Sequence, residues 1–187
     1  PEEIAVEYEK SGIGAISILT EKKFFKGSLD HIPIVNLKTR FPIIRKDFII
    51  DEYQILESKA YKADAILLIL SILTDNQIIK FLELANRYKL DCIIETHTSK
   101  EIDRAIKINY PIIGINNRNL KNLDINTESS IELSKRIPKK FTIIAESGIK
   151  NKKEIKKYNK IGIYNFLIGE SILKSKNRSK KITELLN

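Results

Sequence analysis

The sequence predicts an α/β fold of the TIM-barrel class, and three features of its 187 residues support that prediction. Short runs of apolar, mostly β-branched residues recur along the chain, as buried strands require. Amphipathic stretches with helical spacing separate these runs. The runs also turn polar at their C-terminal ends, where a TIM barrel builds its site from many strands. A doubly wound sheet would place its polar ends near one switch point, and the GxGxxG signature of a Rossmann fold is absent.

The apolar runs define seven strands in chain order. They are AISILT (15–20), PIIRKDF (42–48), AILLIL (65–70), CIIETH (92–97), IIGINN (112–117), TIIAES (142–147) and FLIGES (166–171). A closed TIM barrel needs eight strands, so about seven of the eight are predicted to be present. Because no linker-like stretch interrupts the chain, residues 1–187 are predicted to form a single, partial barrel domain.

The amphipathic stretches define the helices. The first, PEEIAVEYEKSG (1–12), has Pro1 at a helix-start position and Gly12 where a helix ends. The others are DEYQILESKAYKA (51–63), DNQIIKFLELANRYK (75–89), SKEIDRAIKI (99–108), TESSIELSKRI (127–137), NKKEIKKYNK (151–160) and KSKNRSKKITELLN (174–187). Regular alternation of strands and helices indicates a parallel sheet with right-handed crossovers.

Composition restricts the compartment and the partners. No apolar run reaches the roughly 18–20 residues of a membrane span. The single cysteine, Cys92, excludes an internal disulfide and indicates a reducing compartment, so we expect a cytoplasmic protein without a membrane partner. The net charge of +9 suggests nucleic-acid binding. However, the lysines are spread along the chain and arginine, which makes most base contacts, is scarce, so no nucleic-acid partner is expected.

Polar side chains at the strand ends are the candidate chemical groups. Lys46 is a candidate general acid or, less favoured, a Schiff-base nucleophile, because a partly dry site lowers the pKa of a lysine. Glu95 is a candidate base, the alternative being that it only neutralises a nearby cation. Asn116 can orient a substrate hydroxyl or carboxylate, whereas Arg118 is expected to anchor its loop by an ion pair.

The other ionisable residues receive smaller roles. Glu146 can supply negative charge that compensates Lys46. His97 lies at a strand end and is expected to be peripheral, and His31 is placed in a loop without a role. Two histidines without matching carboxylate spacing do not make a metal site, so no metal is predicted.

Two segments near the C-terminus combine glycine with small or polar residues. ESGI (146–149) and IGES (168–171) each follow a predicted strand and precede a helix. Glycine lets backbone N–H groups approach an anion closely, and TIM barrels frequently bind phosphate after strands seven and eight. Together, ESGI and IGES predict a phosphate site. The alternative is that their glycines only allow the chain to turn.

These residues match a known family. The chain resembles indole-3-glycerol phosphate synthase of tryptophan biosynthesis from about residue 2 to about residue 174. The matching strings are AISILTEKKFFKGS (15–28), PIIRKDFIIDEYQI (42–55), ADAILLIL (63–70), IIETH (93–97), IIGINNRNL (112–120), AESGI (145–149) and FLIGESIL (166–173). RKDFIID, GINNR and ESGI together are far more specific than any one of them alone.

The resemblance implies a TIM-barrel enzyme. Such an enzyme closes and decarboxylates 1-(2-carboxyphenylamino)-1-deoxyribulose 5-phosphate, giving indole-3-glycerol phosphate, carbon dioxide and water. This is carbon–carbon lyase (carboxy-lyase) chemistry, and the family uses no metal or organic cofactor. The implied partner is a phosphorylated small-molecule substrate, and other tryptophan-pathway enzymes stay open as partners.

The resemblance also implies catalytic roles. Lys46 matches the general acid that protonates the keto oxygen of the substrate as the aromatic ring attacks. Glu95 matches the glutamate assigned to proton transfer in the later dehydration. Asn116 matches a polar residue that contacts the reacting region, and Glu146 matches a carboxylate that positions other polar groups.

Substrate-binding roles follow from the same resemblance. The residues concerned are Phe25, Phe48, Arg118, Ser147, Gly148, Gly169 and Glu170. The two phenylalanines match aromatics near the anthranilate ring, where an apolar wall helps to exclude water. The last four residues match phosphate-binding loops, in which the backbone N–H of Glu170 is the expected contact.

The chain departs from the family in two places. Asn119 stands where the family usually has aspartate, which bears on a loop ion pair rather than on the chemistry. The family's first strand carries a catalytic glutamate, a lysine and an SPS element, and this chain begins in the helix that follows it. We therefore expect strand one to be missing and this polypeptide alone to be weakly active or inactive.

Two other functions stay open for the sequence. A degenerate, noncatalytic barrel remnant would bind or scaffold without turnover. Another phosphate-binding TIM barrel, such as a phosphoribosylanthranilate isomerase, would share the fold, although Lys46 within RKDF argues against it.

Overall fold

A computed structural model describes residues 1–119 and 123–187, and within these ranges seven strands alternate with nine helices. The strands are β1 (Ile16–Leu19), β2 (Ile43–Lys46), β3 (Ala65–Ile69), β4 (Asp91–Thr96), β5 (Ile112–Asn116), β6 (Thr142–Glu146) and β7 (Asn165–Leu167). The helices are α1 (Glu2–Lys10), α2 (His31–Asn36), α3 (Glu52–Ala60), α4 (Asp75–Arg87), α5 (Ser99–Ile108), α6 (Thr127–Ser134), α7 (Lys152–Asn159), α8 (Glu170–Leu173) and α9 (Arg178–Leu186). Leu120, which ends the string IIGINNRNL, lies outside the described residues.

The strands neighbour one another in the order of the sequence and run parallel. Together with the alternating helices, they form a TIM-barrel-like α/β fold with seven strands in the described residues. The predicted fold class is therefore confirmed. Two compact units, Pro1–Ile93 and Ile94–Asn187, divide the chain inside β4. The single-domain organisation stays a prediction.

In the first unit, strand pairing sets the two faces of β2. Leu19 of β1 pairs with Lys46, and Arg45 pairs with Ile66 of β3. Side chains alternate along a strand, so Arg45 and Lys46 leave the sheet on opposite faces. The buried Ile43 shares the face of Arg45.

In the second unit, strand pairing places three polar residues on one face. Glu95 of β4 pairs with Gly114 of β5, which has no side chain to crowd the carboxylate. Two residues further along β5, Asn116 pairs with Glu146 of β6. Because paired residues in parallel strands project to the same side, Glu95, Asn116 and Glu146 share a face.

Short polar side chains fix where most helices begin. In the described part of the chain, six helices have an N-cap side chain that accepts a hydrogen bond from a backbone N–H in the first turn, which satisfies a group that the helix itself leaves unpaired. These caps are Asp51, Thr74, Thr98, Asn126, Asn151 and Asn177.

Two helices differ from the sequence-based expectation. The prediction that His31 lies in a loop is wrong, because His31 begins α2. Pro33 concealed this helix from the sequence, yet proline is tolerated in a first turn, where its missing N–H has no helical partner. The predicted strand FLIGES is also too long. It ends at Leu167, and Glu170 begins α8 after the strand-weakening Gly169.

Cys92 lies in the buried body of β4, where it is 1% exposed. Burial, followed by the charge of Asp91, raises the pKa of its thiol to about 12. A thiol with this pKa stays protonated at neutral pH, which agrees with a space-filling role rather than a reactive one. Among the residues that the structure describes, no helix is both long enough and apolar enough to cross a membrane.

Arg45 is a buried cation, only 4% exposed, on the face of β2 opposite to Lys46. Its guanidinium lies 2.9 Å from Asp47 Oδ2 and 2.9 Å from Glu57 Oε2. It also donates to Ser58 Oγ on α3 at 3.1 Å. A buried charge persists only with such partners, so Arg45 has a structural role that joins β2 to α3.

Replacing Arg45 with methionine tests this structural role. The variant keeps a long apolar stem but leaves Asp47 and Glu57 without their cation, and we expect a loss of about 3–5 kcal/mol in the free energy of unfolding. Urea denaturation measures the loss. The control is Arg136→Met, whose guanidinium pairs with Asp103 at a half-exposed site and should matter much less. Equal losses in the two variants would contradict the role of Arg45.

Candidate active site

Lys46 is the last residue of β2, and its side chain is partly buried. Its backbone carbonyl accepts a hydrogen bond of 3.3 Å from the N–H of Thr20, just after β1. The ends of these two strands are therefore joined next to the amine-bearing residue.

Phe48, two residues after the end of β2, is also held in place by hydrogen bonds. The N–H of Phe48 donates to Asp47 Oδ1 at 2.8 Å, and the carbonyl of Phe48 accepts from Gln54 Nε2 at 3.0 Å. Asp47 is itself held by Arg45 on the opposite face of β2. The buried ion pair thus orients the backbone that carries Phe48.

Three phenylalanines gather beside this loop. Phe25 stacks on Phe48 with ring centroids 6.0 Å apart, and Phe24 meets Phe48 edge to face at 6.4 Å. Phe25 and Phe48 were predicted as substrate-binding residues, and Phe24 was not, although it is the most exposed of the three at 70%. Exposed aromatic rings at a strand end offer an apolar wall to a ligand ring.

The loop that carries Phe24 and Phe25 is shaped by two residues. The carboxylate of Glu21 accepts hydrogen bonds from the backbone N–H groups of Phe24 and Phe25 at 2.6 and 3.2 Å. A side chain at Gly27 would place its Cβ 2.3 Å from the carbonyl oxygen of Leu19, so only glycine fits. The loop therefore turns back tightly onto the end of β1.

Glu95 and Glu146 are two buried acids at the strand ends of the second unit. Glu95 is 1% exposed and Glu146 is 0% exposed. Asn116 Nδ2 donates to Glu95 Oε1 at 3.0 Å, and Asn116 Oδ1 accepts from the N–H of Arg118 at 3.0 Å. Asn116 therefore links the carboxylate of Glu95 to the backbone that follows β5.

His97 contacts the same carboxylate. Its Nε2 lies 3.2 Å from Glu95 Oε1, and its Nδ1 lies 3.4 Å from Glu101 Oε2. Burial disfavours the imidazolium, but the carboxylates of Glu101 and Glu95 outweigh burial and raise the pKa of His97 from 6.5 to about 9. His97 therefore contacts Glu95 directly, and the expectation that it is peripheral did not include this contact. The alternation of IIETH was the signal, since residues 95 and 97 share a strand face.

Asn117 was also missed as a structural residue. Its Nδ2 donates to the carbonyl of Ser147 at 2.7 Å, and its Oδ1 accepts from the hydroxyl of Tyr158 at 3.2 Å. Its N–H donates to the carbonyl of Glu146 at 2.9 Å. Asn117 thus holds the chain after β6 in place, and no local sequence pattern reports such a contact.

The ESGI turn has a constrained backbone. Ser147 and Gly148 both have positive φ, of 63° and 77°. A Cβ on Gly148 would lie 2.3 Å from Cγ2 of Ile125. Gly148 is therefore required by packing as well as by conformation, whatever its contact with a ligand.

Arg118 and Glu170 contact each other. Arg118 donates to Glu170 Oε2 at 2.7 Å, and Lys174 donates to Glu170 Oε1 at 2.6 Å. Hydrogen bonds from Lys174 and Arg118 lower the pKa of Glu170. Gly169, the N-cap of α8, has open space at its Cβ position.

The structure brings the sequence-selected residues together in three groups. Phe25 and Phe48 follow β1 and β2, Glu95 and Asn116 share a hydrogen bond, and Arg118 pairs with Glu170. Within residues 1–119 and 123–187, no cluster of three or more His, Cys, Asp or Glu side chains is arranged to hold a metal ion.

The chain matches the family model described as indole-3-glycerol phosphate synthase over residues 1–185. The indole-3-glycerol phosphate synthase of Legionella pneumophila (strain Paris) is 43% identical over 184 residues, which are 98% of this chain and 71% of that protein. The indole-3-glycerol phosphate synthase of Caldanaerobacter subterraneus subsp. tengcongensis is 46% identical over 172 residues, which are 92% of this chain and 67% of that protein.

Solved structures with a similar fold are more distant in sequence. Thiamine phosphate pyrophosphorylase from Pyrococcus furiosus has a TM-score of 0.76 at 17% identity, covering 100% of this chain and 88% of that one. The N-acetylmannosamine-6-phosphate 2-epimerase from Clostridium perfringens has a TM-score of 0.71 at 16% identity. The match covers 99% of this chain and 82% of the epimerase chain. At these identities the likeness shows the fold alone.

The α/β fold and the ionisable groups at the ends of its strands define an enzyme of the TIM-barrel class. The match across nearly the whole chain shows that it belongs to the indole-3-glycerol phosphate synthase family. This family works in tryptophan biosynthesis, and the resemblance found in the sequence is confirmed. The assignment also decides against phosphoribosylanthranilate isomerase.

The pKa of His97 predicts how stability depends on pH. A group whose pKa is raised on folding stabilises the protein fully below its unfolded pKa, here 6.5, and loses that effect as pH rises through about 9. We expect wild type to exceed His97→Gln by about 1–3 kcal/mol in unfolding free energy at about pH 6, and by much less at about pH 10. Urea denaturation at both pH values measures the difference. A difference that grows with pH would show that the sign is wrong.

Proposed function

We propose that this chain catalyses the ring closure of indole-3-glycerol phosphate synthase. In this reaction, 1-(2-carboxyphenylamino)-1-deoxyribulose 5-phosphate loses carbon dioxide and water and becomes indole-3-glycerol phosphate. The overall reaction is that of a carboxy-lyase. The observation that carries the proposal is the family match over residues 1–185, which includes Lys46 and Glu95 at the ends of their strands. A cytoplasmic location and contacts with other enzymes of the pathway stay predictions.

Lys46 acts as the general acid in this proposal. The attack of the aromatic ring places negative charge on the keto oxygen of the substrate, and the ammonium of Lys46 donates a proton to it. The position of Lys46 supports the role, because the face of β2 that it occupies is opposite to the buried ion pair of Arg45 and Asp47.

Glu95 transfers the proton in the later dehydration. The indoline that forms on ring closure must lose a hydroxyl group and a proton, and an ionised carboxylate accepts that proton. The hydrogen bond from Asn116 Nδ2 to Glu95 Oε1 supports the role, since it favours the ionised form and limits rotation of the carboxyl group. Glu146 lies opposite Asn116 in register and positions neighbouring polar groups.

The remaining residues bind the two ends of the substrate. Phe25 and Phe48 face the anthranilate ring, and their stacked arrangement supports that assignment. The residues that bind phosphate are Ser147, Gly148, Gly169 and Glu170. Arg118 contributes by holding the side chain of Glu170 beside this loop. The backbone N–H of Glu170 stays available as a donor because it precedes the first hydrogen-bonded turn of α8.

The variant Lys46→Met tests the general acid. We expect kcat to fall by about 10²-fold or more while the protein stays folded, because methionine keeps the stem and removes the proton donor. Formation of indole-3-glycerol phosphate from the substrate measures the rate, and circular dichroism checks folding. The assay is run on the chain alone and on the chain fused to the part of the Legionella relative outside the matched region.

The control for Lys46 is Lys107→Met, which removes an exposed lysine from α5. This variant should retain the wild-type rate. Unchanged turnover in Lys46→Met would remove Lys46 from the mechanism. Absence of product from both the chain and the fusion would instead favour a noncatalytic remnant.

Gly169→Ala tests the phosphate loop. The added Cβ meets open space in the protein, so folding should be unaffected, whereas a bound phosphate would lose backbone contacts. We expect KM to rise by about tenfold with little change in kcat, since charge-assisted hydrogen bonds are the strong ones. Gly148 is unsuitable for this test because a side chain there collides with Ile125. A loss confined to kcat would contradict the phosphate role of Gly169.

A further inference from the structure

His97 is a largely buried ionisable group that the proposed reaction does not use. It follows Glu95 by two residues, so both side chains lie on the same face at the end of β4. The His97 side chain is 11% exposed, and each ring nitrogen faces a carboxylate oxygen, at 3.2 Å for Glu95 and 3.4 Å for Glu101. Neither contact has hydrogen-bond geometry, so both are ion-pair contacts. Two carboxylates beside one ring favour the imidazolium over the neutral form.

The groups around the ring are mostly anionic. Glu95 acts on it from its own strand and Glu101 from the first turn of α5. Asn116, on the neighbouring β5, is neutral and donates to the Glu95 oxygen that His97 approaches. Glu146, on β6, lies on the same sheet face as Glu95. A cation among these carboxylates is favoured over the neutral ring.

The far carboxylate, Glu101, is itself held in place. Its Oε2 accepts from the backbone N–H of His97 at 2.7 Å, and its Oε1 accepts from Thr98 Oγ1 at 3.0 Å. Thr98 caps α5 by accepting from the N–H of Glu101. Glu101 is therefore a fixed anchor at the start of a helix, and His97 spans the distance from this anchor to Glu95.

We propose that His97 is a positioning residue for the dehydration step: as an imidazolium bridging Glu101 and Glu95, it keeps the Glu95 carboxylate ionised and oriented toward the proton that it removes. The inference rests on the proposed role of Glu95. His97 itself does not touch the reacting atoms. Glu95 Oε1 accepts a hydrogen bond from Asn116 Nδ2, and His97 Nε2 makes an ion-pair contact with the same oxygen at 3.2 Å.

Histidine titration by NMR tests the bridge without any need for turnover. The sequence has only two histidines, His31 and His97, and the variant His31→Gln assigns their ring resonances. We expect His97 to titrate near pH 9 and the variant Glu101→Gln to lower its pKa toward 6.5. The control is Glu83→Gln, which removes an exposed carboxylate from α4 and should leave the titration unchanged. Two results would overturn the proposal. One is a wild-type pKa of His97 at 6.5 or below, and the other is a pKa of His97 that does not change in Glu101→Gln.

The pH dependence of turnover tests the action through Glu95. His97→Gln keeps a neutral donor and removes the positive charge, so the acidic limb of kcat/KM should move up by about one pH unit or more. At the optimum pH, the kcat of His97→Gln should fall by a larger factor than its KM rises. The variant His97→Ala should turn over more slowly than His97→Gln. A uniform loss at every pH would indicate a merely structural effect and reject the proposal. Failure of Lys46→Met to affect turnover would undermine the proposed function, whereas the NMR titration decides the bridge separately.

Discussion

The alternation of side chains along a strand is the constraint on which the rest of this structure depends. Along β2 it sends Arg45 to one face of the sheet and Lys46 to the other. Arg45 is buried, and its partners Asp47 and Glu57 compensate for the loss of water. A run of three charged residues in an apolar strand is thereby divided. One face uses charge to join strand and helix, and the other carries Lys46, the proposed general acid.

The same alternation organises the end of β4. Glu95 and His97 share a face, whereas Thr96 between them points the other way and donates to the carbonyl of Gly114 at 2.8 Å. Glu95 is almost fully buried, so its ionised form needs donors close by. Asn116 donates to Glu95 Oε1, and the His97 ring makes an ion-pair contact with the same oxygen. In the proposed reaction such a carboxylate would accept a proton without a large further loss of entropy, because its orientation is already restricted before substrate binds.

The sequence predicted the strands well because each is a short apolar run with a polar end, a signal that is local. It failed at α2 and α8, where the signal is weak. Each is short, Pro33 lies inside α2, and Gly169 separates β7 from α8. In the site, Phe25, Phe48 and Asn116 could be selected from the family resemblance. The contacts of Asn117 could not be predicted, because its partners Ser147 and Tyr158 lie 30 and 41 positions further along the chain and the contacts depend on folded loops.

The two glycine-containing strand ends look alike in sequence but differ in physical cause. Gly148 has φ of 77° and no room for a Cβ beside Ile125, so the fold alone demands glycine there. Gly169 has negative φ and open space around its Cβ position, so neither conformation nor packing demands it. A glycine that the protein itself does not require is better explained by something that approaches its backbone from outside. By this reasoning Gly169, rather than Gly148, carries the argument for a phosphate at the loop that Arg118 and Glu170 border.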